Sequence, residues 1–254
     1  MSKNPKNALP AGKSGLILYG RHAVLSAVRN NERFVSKILV TRENVEEVQN
    51  ACKAAGRDLG IVAVVDRKEI DRLLPPEAVH QGFAVCCREL LGYSLEEIID
   101  LAAEKENCHL LILDQVTDPQ NIGAIMRSCV AFNTLALIMQ DKNSPAETGA
   151  MAKAAAGMME YLPVCRVTNL SRAIEQLKTA GFWIIGMDGY AQTTIDKINK
   201  SGKNAIVMGS EGKGMRRLVE ETCDTTVRLE ISSKVESLNV ATAAAIALYE
   251  MNKG

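Results

Sequence analysis

From Leu16 onward, apolar residues gather in short runs separated by stretches with helical spacing. KILV (37–40) precedes a helical pattern over 43–55, IVAVV (61–65) precedes RKEIDRLL, and GFAVCC (82–87) is a further apolar run. Short aliphatic and β-branched runs predict buried strands, and i, i+3, i+4 spacing predicts helices between them. Residues 16–90 are thus expected to form one small α/β unit. The polar stretch 88–94 is the candidate linker.

From about residue 95 the alternation continues on a larger scale. HLLILD (109–114) predicts a strand, 122–132 a helix, and ALIM (136–139) the next strand. The small-residue stretch 146–158 predicts a helix, and LSRAIEQLKTAG predicts another that ends at a C-cap glycine. FWIIGM (182–187), NAIVMG (204–209) and TTVRLEI (225–231) predict strands before an alanine-rich helix over 238–251. Regular strand–helix alternation predicts a mostly parallel sheet covered on both faces, here over 95–254.

Composition narrows the class of protein without naming it. The chain has 254 residues, 47% of them apolar and 24% charged, which is enough to bury a core in each unit. It contains no run of 18 apolar residues, so no transmembrane helix and no membrane partner is expected. The start, MSKNPKNALPAGKSG, lacks the apolar segment of a secretory signal and predicts a flexible tail over 1–15. Seven cysteines occur without a CxxC pair, several inside apolar runs, so free buried thiols in a reducing, cytoplasmic setting are expected. With three scattered histidines and no HxxxH spacing, no metal site is expected. Net charge is zero, but residues 1–90 hold 14 Lys and Arg against 10 Asp and Glu, leaving 16 against 20 in the remainder. Such an asymmetry would suit an N-terminal arm that grips RNA.

Three segments are richer in chemistry than scaffold requires. The first runs from Asp114 to Arg127, where polar residues follow a strand at the edge on which open α/β sheets bind ligands. Asp118-Pro119 reads as a turn, and Asn121 and Gly123 open a helix. In a continuous helix Asn121 and Arg127 lie about 600° apart and share no stripe, so they converge only if Asn121 precedes the helix. The second segment, 206–215, places Gly209, Gly212 and Gly214 after a strand with Glu211 among them. Its order is neither the dinucleotide fingerprint nor a Walker A loop, and a plain glycine turn would not need the carboxylate. In the third, 227–245, Ser237 and Asn239 stand before an alanine-rich helix, where helix capping is the simplest role for either.

Taken together and in this order, the three segments resemble the signature motifs of the SpoU (TrmH-like) family of RNA 2'-O-ribose methyltransferases. The motifs are N-x-G-x-x-x-R (Asn121, Gly123, Arg127), G-x-E-x-x-G (Gly209, Glu211, Gly214) and S-L-N-V (Ser237 to Val240). Tyr19-Gly-Arg-His-Ala-Val24 and His80-Gln-Gly-Phe83 look like the family's small N-terminal, L30e-like RNA-binding domain. The resemblance covers about 16–252, and the chain looks most like the enzymes that methylate a guanosine ribose of large-subunit rRNA. It departs from them at Leu229-Glu230-Ile231, where the family usually has Ile-Pro-Met. A proline's fixed φ is lost there and an N–H is regained.

The resemblance implies a trefoil-knotted, SPOUT-type catalytic domain, a fold that periodicity alone could never propose. It implies S-adenosylmethionine as methyl donor without a metal, held by Met187, Gly209, Leu229 and Leu238. It also implies a homodimer and a structured RNA substrate, rRNA favoured over tRNA, with no DNA substrate. Arg21 and its basic neighbours would grip RNA. Arg127 would contact the target ribose or its phosphate, Asn121 with Ser237 or Asn239 would fix the ribose or the arginine, and Glu211 would orient Arg127. Arginine is a poor literal base, so stabilising the developing alkoxide is the expected role. A Rossmann-like NAD enzyme or methyltransferase fails because the loop after HLLILD holds one glycine. A non-catalytic RNA-binding or ribosome-assembly factor would not require Asn121, Arg127, Glu211 and Asn239 together.

Overall fold

The computed structural model describes residues 15–142 and 144–253, and it divides into two compact units. Most of the expected tail 1–15 therefore lies outside the described residues. The first unit comprises residues up to Leu90 together with Glu147–Gly149. The second comprises Leu91–Ala146 and Ala150–Gly254.

The first unit begins with β1 (Leu16–Tyr19) and α1 (Arg21–Arg29), followed by β2 (Val35–Val40), α2 (Val45–Ala54) and β3 (Val62–Val64). A single-turn α3 (Arg67–Asp71) and β4 (Phe83–Cys87) complete it. The sheet order is β1-β4-β2-β3, with β4 antiparallel to both neighbours and β2 parallel to β3. Arg33 is buried in this unit, its guanidinium 2.8 Å from the Arg88 carbonyl and 2.6 Å from the Glu147 carboxylate. A buried cation needs such partners, which explains why Glu147 is drawn into the first unit.

The second unit starts with α4 (Leu95–Ala103), whose Ser94 cap and Glu97 form a reciprocal capping box. Then follow β5 (Cys108–Leu113), α5 (Pro119–Ala131), β6 (Ala136–Gln140), α6 (Gly149–Ala154), β7 (Val164–Val167) and α7 (Leu170–Thr179). The chain ends with β8 (Trp183–Met187), β9 (Thr193–Thr194), β10 (Lys203–Met208), α8 (Arg217–Glu220), β11 (Thr225–Arg228) and α9 (Val240–Met251). The strands form one sheet in the order β7-β6-β5-β10-β8-β11-β9, and every pairing is parallel. All the C-terminal strand ends therefore meet on one edge. Leu110, Ile112, Ala205 and Val207 face a core shared with Leu95 and Ile98 of α4 and Ile174 and Leu177 of α7. Their alternates Leu111, Leu113 and Ile206 are just as buried on the face left to α5 and α9.

Several sequence expectations change here. Asp118-Pro119 is a helix start: Asp118 caps α5 by accepting the Gln120 N–H at 3.0 Å, and Pro119 takes the first position, where no N–H is needed. Asn121 is thus inside α5, and Arg127 shares no stripe with it. The helix expected over 146–158 is only Gly149–Ala154, because Ala156 and Gly157 adopt φ of 50° and 84° and end it. The strand expected over 225–231 stops at Arg228, since its outer neighbour β9 has only two residues. The final helix begins at Val240.

Gly123 is explained by packing. A Cβ there would stand 2.3 Å from the Met151 carbonyl oxygen and 2.7 Å from the Ala154 Cβ, so α5 can approach α6 only with hydrogen at that position. Gly123→Ala is expected to cost about 1–3 kcal/mol, the usual range for overpacking, read as a fall in the urea midpoint. An unchanged midpoint would show that the two helices have room to part.

Candidate active site

The motif residues arrive at the C-terminal edge of the second unit's sheet by three strand exits, those of β5, β10 and β11, and the β8 exit brings Met187 to the same edge. The β5 exit leads through Asp114–Asp118 into α5, and the β10 exit forms a tight hairpin over 209–215. The β8 exit turns at Asp188, whose carboxylate accepts the Tyr190 N–H at 3.1 Å, and the Arg228 guanidinium braces this turn through the Ala191 and Gln192 carbonyls. The β11 exit becomes the long loop 229–239.

That last loop has to travel. β11 is separated from β5 by β8 and β10, three strand spacings or roughly 14 Å. Yet the helix it enters, α9, lies beside α5. The starts of the two helices are joined by Asn239 and Asn121 at 3.0 Å, and their ends by an edge-to-face contact of Phe132 with Tyr249 at 5.8 Å. The segment therefore crosses the ends of β8 and β10 before reaching α5.

The Asn121–Asn239 contact has a determined polarity. The Asn239 oxygen caps α9, accepting the Ala241 N–H at 3.0 Å and the Thr242 N–H at 3.3 Å. Only an oxygen can accept those protons, so the amide nitrogen faces Asn121 and donates to its oxygen. The Asn121 NH2 is left with no partner among the described residues, available to a ligand. Asn239 is thus both the capping residue that sequence alone suggests and the anchor of Asn121.

The other predicted residues are less gathered. Ser237 and Glu211 are exposed, and Leu229, Leu238 and Met187 are half-buried. Arg127 is exposed, about 9 Å further along the α5 axis than Asn121. Within the chain it makes no hydrogen bond or ion pair among the described residues, so the expected Glu211–Arg127 contact is not formed. Glu230, at the family's usual proline position, is exposed to solvent.

Gly209 is constrained by packing within the chain. A Cβ on it would fall 2.0 Å from the Gly214 carbonyl carbon and 2.2 Å from the Met215 nitrogen. The hairpin's own backbone excludes a side chain there. Arg21, expected to be free for RNA, is engaged by the Glu47 carboxylate at two nitrogens, a hydrogen bond that raises its pKa further.

Two residues of the site escaped sequence reasoning. Asp114 is fully buried at the β5 exit and holds Arg216, immediately beyond the hairpin, by two hydrogen bonds and an ion pair. A charged residue at the end of an apolar strand was the available signal for Asp114. Its partner lies 102 positions away. All seven cysteines are free. Burial pushes the Cys129 and Cys223 thiols up to about 12 and the Cys165 thiol to about 11, so these three stay protonated and poorly nucleophilic at neutral pH. Among the described residues no group of three His, Cys, Asp or Glu could hold a metal ion.

The two jobs of Asn239 can be separated. Asn239→Asp keeps the capping oxygen and loses the donor to Asn121, whereas Asn239→Ala loses both. Alanine should cost about 1 kcal/mol of stability, and aspartate less than half of that. Equal losses by chemical denaturation would mean that the Asn121 contact, and not the cap, dominates.

Residues 109–249 match the model of the SpoU rRNA methylase family, and residues 17–91 match that of the RNA 2'-O ribose methyltransferase substrate-binding domain. The 23S rRNA (guanosine-2'-O-)-methyltransferase RlmB of Pseudomonas syringae pv. tomato is 37% identical over 237 residues, 92% of this chain and 93% of that protein. RlmB of Escherichia coli K12 is 34% identical over 235 residues, 92% of this chain and 96% of its own. The fold is shared with the SpoU methyltransferase AviRb of Streptomyces viridochromogenes in complex with AdoMet. That likeness has a TM-score of 0.77 at 20% identity and covers 94% of this chain and 89% of the other. An AdoMet-bound rRNA methyltransferase of Sinorhizobium meliloti aligns at TM-score 0.77 and 21% identity, over 94% and 87%. With the family's three motifs brought to one sheet edge and family models matched along most of its length, the chain belongs to the SpoU rRNA methylase family.

Proposed function

We propose that this chain transfers a methyl group from S-adenosylmethionine to a ribose 2'-hydroxyl of structured RNA, a guanosine of large-subunit rRNA being the target its relatives' names favour. The observation that carries the reading is the joining of the first and third motifs at the sheet edge through Asn121 and Asn239, which leaves one amide NH2 free to donate.

The residues at that edge suit the proposed cofactor. The exits of β10, β8 and β11 are neighbours in the sheet, and they offer half-buried Met187, Leu229 and Leu238 as apolar contacts. Within the loop 229–238 the internal hydrogen bonds are Val235 N–H to the Ser232 carbonyl and Lys234 N–H to the Ser232 hydroxyl, so much of its backbone is open to a ligand. Gly209 keeps the hairpin narrow beside them. When bound, the cofactor supplies an electrophilic methyl group on a sulfonium sulfur.

The chain's residues then have to orient a ribose and ease the loss of a proton from a weakly acidic hydroxyl. In this reading the free Asn121 NH2 donates to a ribose oxygen, and Asn239 is the positioning residue that holds it. Ser237 offers a second hydroxyl. Arg127 stays charged at any working pH and presents two parallel donors, which suits a phosphate or a developing alkoxide. Because Arg127 finds no partner among the described residues of its own chain, the reading includes a homodimer whose second copy completes the site around Arg127 and Glu211. The exposed Ile246 and Tyr249 of α9, at 39% and 50%, support such an interface.

The same reading includes a knot, in which 205–254 passes through a loop of the second unit. The crossing of 229–239 over the ends of β8 and β10 supports it. It takes the first unit as the RNA-binding part. The Arg21–Glu47 pair is solvent-exposed and so holds Arg21 weakly, leaving a phosphate able to displace the carboxylate. A cytoplasmic location follows from the free thiols and the rRNA substrate, and no described helix is long and apolar enough to cross a membrane.

Arg127→Ala should slow single-turnover methylation at least about 100-fold, equivalent to about 2.7 kcal/mol of transition-state stabilisation, while S-adenosylmethionine affinity stays within about threefold. Arg127→Lys should recover little, because a point charge cannot replace the fork. A near-normal rate for the alanine variant would make Arg127 a solvated helix residue. Light scattering at micromolar concentration should report twice the chain mass, and a monomer would remove the shared site.

A further inference from the structure

Asp114 is the point at which β5 gives way to the loop before α5, and its carboxylate is fully buried. Its two hydrogen bonds and its ion pair all come from one residue. The Arg216 backbone N–H reaches one oxygen at 2.8 Å, while Nε and Nη2 reach the other at 2.8 Å and 2.7 Å. A buried carboxylate without such partners would be strongly unfavourable, so wherever Asp114 sits, Arg216 must follow.

The consequence falls on the segment between Met208 and Arg216. Its upstream end is tied to β5 by the Asp114 N–H, which donates to the Met208 carbonyl at 2.8 Å. Its downstream end is tied to the same residue through Arg216. In between, Ser210 and Gly214 exchange backbone hydrogen bonds of 3.0 Å and 2.9 Å, closing the hairpin. The residues at its tip, 211–214, are exposed, and the one further hydrogen bond they make among the described residues, from the Ser210 hydroxyl to the Gly214 carbonyl at 3.4 Å, lies within the hairpin itself. The next backbone unit after Asp114 is itself unusual, with Gln115 at φ 59°, a conformation a non-glycine residue keeps only where its surroundings impose it.

We infer that Asp114 and Arg216 are positioning residues for cofactor binding: their ion pair clamps both ends of the 209–215 hairpin to the end of β5 and presents its backbone in the shape that receives S-adenosylmethionine. The inference rests on the methyltransferase reading and extends it to two residues outside the three motifs. A loop ordered in advance spares binding the cost of ordering it. The clamp therefore acts chiefly on affinity, because Asn121, Arg127 and Ser237, which face the ribose in that reading, lie outside the hairpin and Glu211 alone is carried on it.

Calorimetric titration of the full chain with S-adenosylmethionine, paired with single-turnover methylation at saturating cofactor, tests the clamp. Arg216→Ala and Asp114→Asn should each weaken binding at least about tenfold, with the saturated rate within about threefold of native. Arg216→Lys, which keeps the charge and loses the fork, should fall between Arg216→Ala and the native chain. The double variant should bind no worse than the weaker single one, because both lose the same interaction. In the cofactor-free chain, hydrogen exchange at the Ser210 and Gly214 amides should quicken in every variant. If Asp114→Asn fails to fold, Arg216→Lys decides alone, since its side chain is 40% exposed and can be changed without emptying the core. Variants that bind within about twofold of native overturn the clamp and leave the methyltransferase reading standing. A fall in the saturated rate would make the pair part of the chemical machinery and also overturn it. A native chain that does not bind S-adenosylmethionine overturns the clamp together with the reading.

Discussion

A parallel sheet brings every strand exit to one edge, but it does not fix the loops that leave there. In this chain the buried carboxylate of Asp114 does so. Its two hydrogen bonds and ion pair with Arg216 join the exit of β5 to the segment following β10, two places that are neighbours in the sheet and far apart in sequence. With that joint made, the 209–215 hairpin, the start of α5 and the loop crossing from β11 share one frame. Asn121 and Asn239 then meet because both helices begin at that edge.

The family's signature residues divide into two kinds once their surroundings are known. Gly123 and Gly209 are glycines because backbone occupies the space a Cβ would need, at 2.3 Å and 2.0 Å respectively. Asn239 combines a cap with a donor to Asn121. Arg127, Glu211 and Ser237, by contrast, are exposed and make no hydrogen bond or ion pair among the described residues, so the fold of this chain does not account for them. A signature motif here mixes packing constraints with chemistry, and the order of residues alone does not tell them apart.

The scaffold was legible where the local signal was strong. The apolar runs at 109–114, 182–187 and 204–209 are strands because both faces of a parallel sheet are buried, which gives a continuous apolar run. The helix expected over 146–158 failed because its alanines and methionines favour a helix locally, while Ala156 and Gly157 turn left-handed. The strand expected to reach residue 231 failed because it runs out of a neighbour, a property of the sheet and not of the residues. The place of Asn121 inside α5 was in principle readable from Asp118-Pro119, which is a cap and first-turn pair as well as a turn. The Asp114–Arg216 pairing was not readable at all. Nothing local at either residue names the other, and strand order alone brings them together.

The most direct test of the account is where the methyl group goes. The purified chain would be incubated with large-subunit rRNA and methyl-labelled S-adenosylmethionine, and the RNA then hydrolysed in alkali. Alkaline cleavage needs a free 2'-hydroxyl, so a ribose methylated there leaves its label in an alkali-resistant dinucleotide. Label is expected in such a dinucleotide with a guanosine at its 5' position, and none when that guanosine is supplied as the 2'-deoxy form. Label recovered in ordinary mononucleotides, on a base, would contradict it.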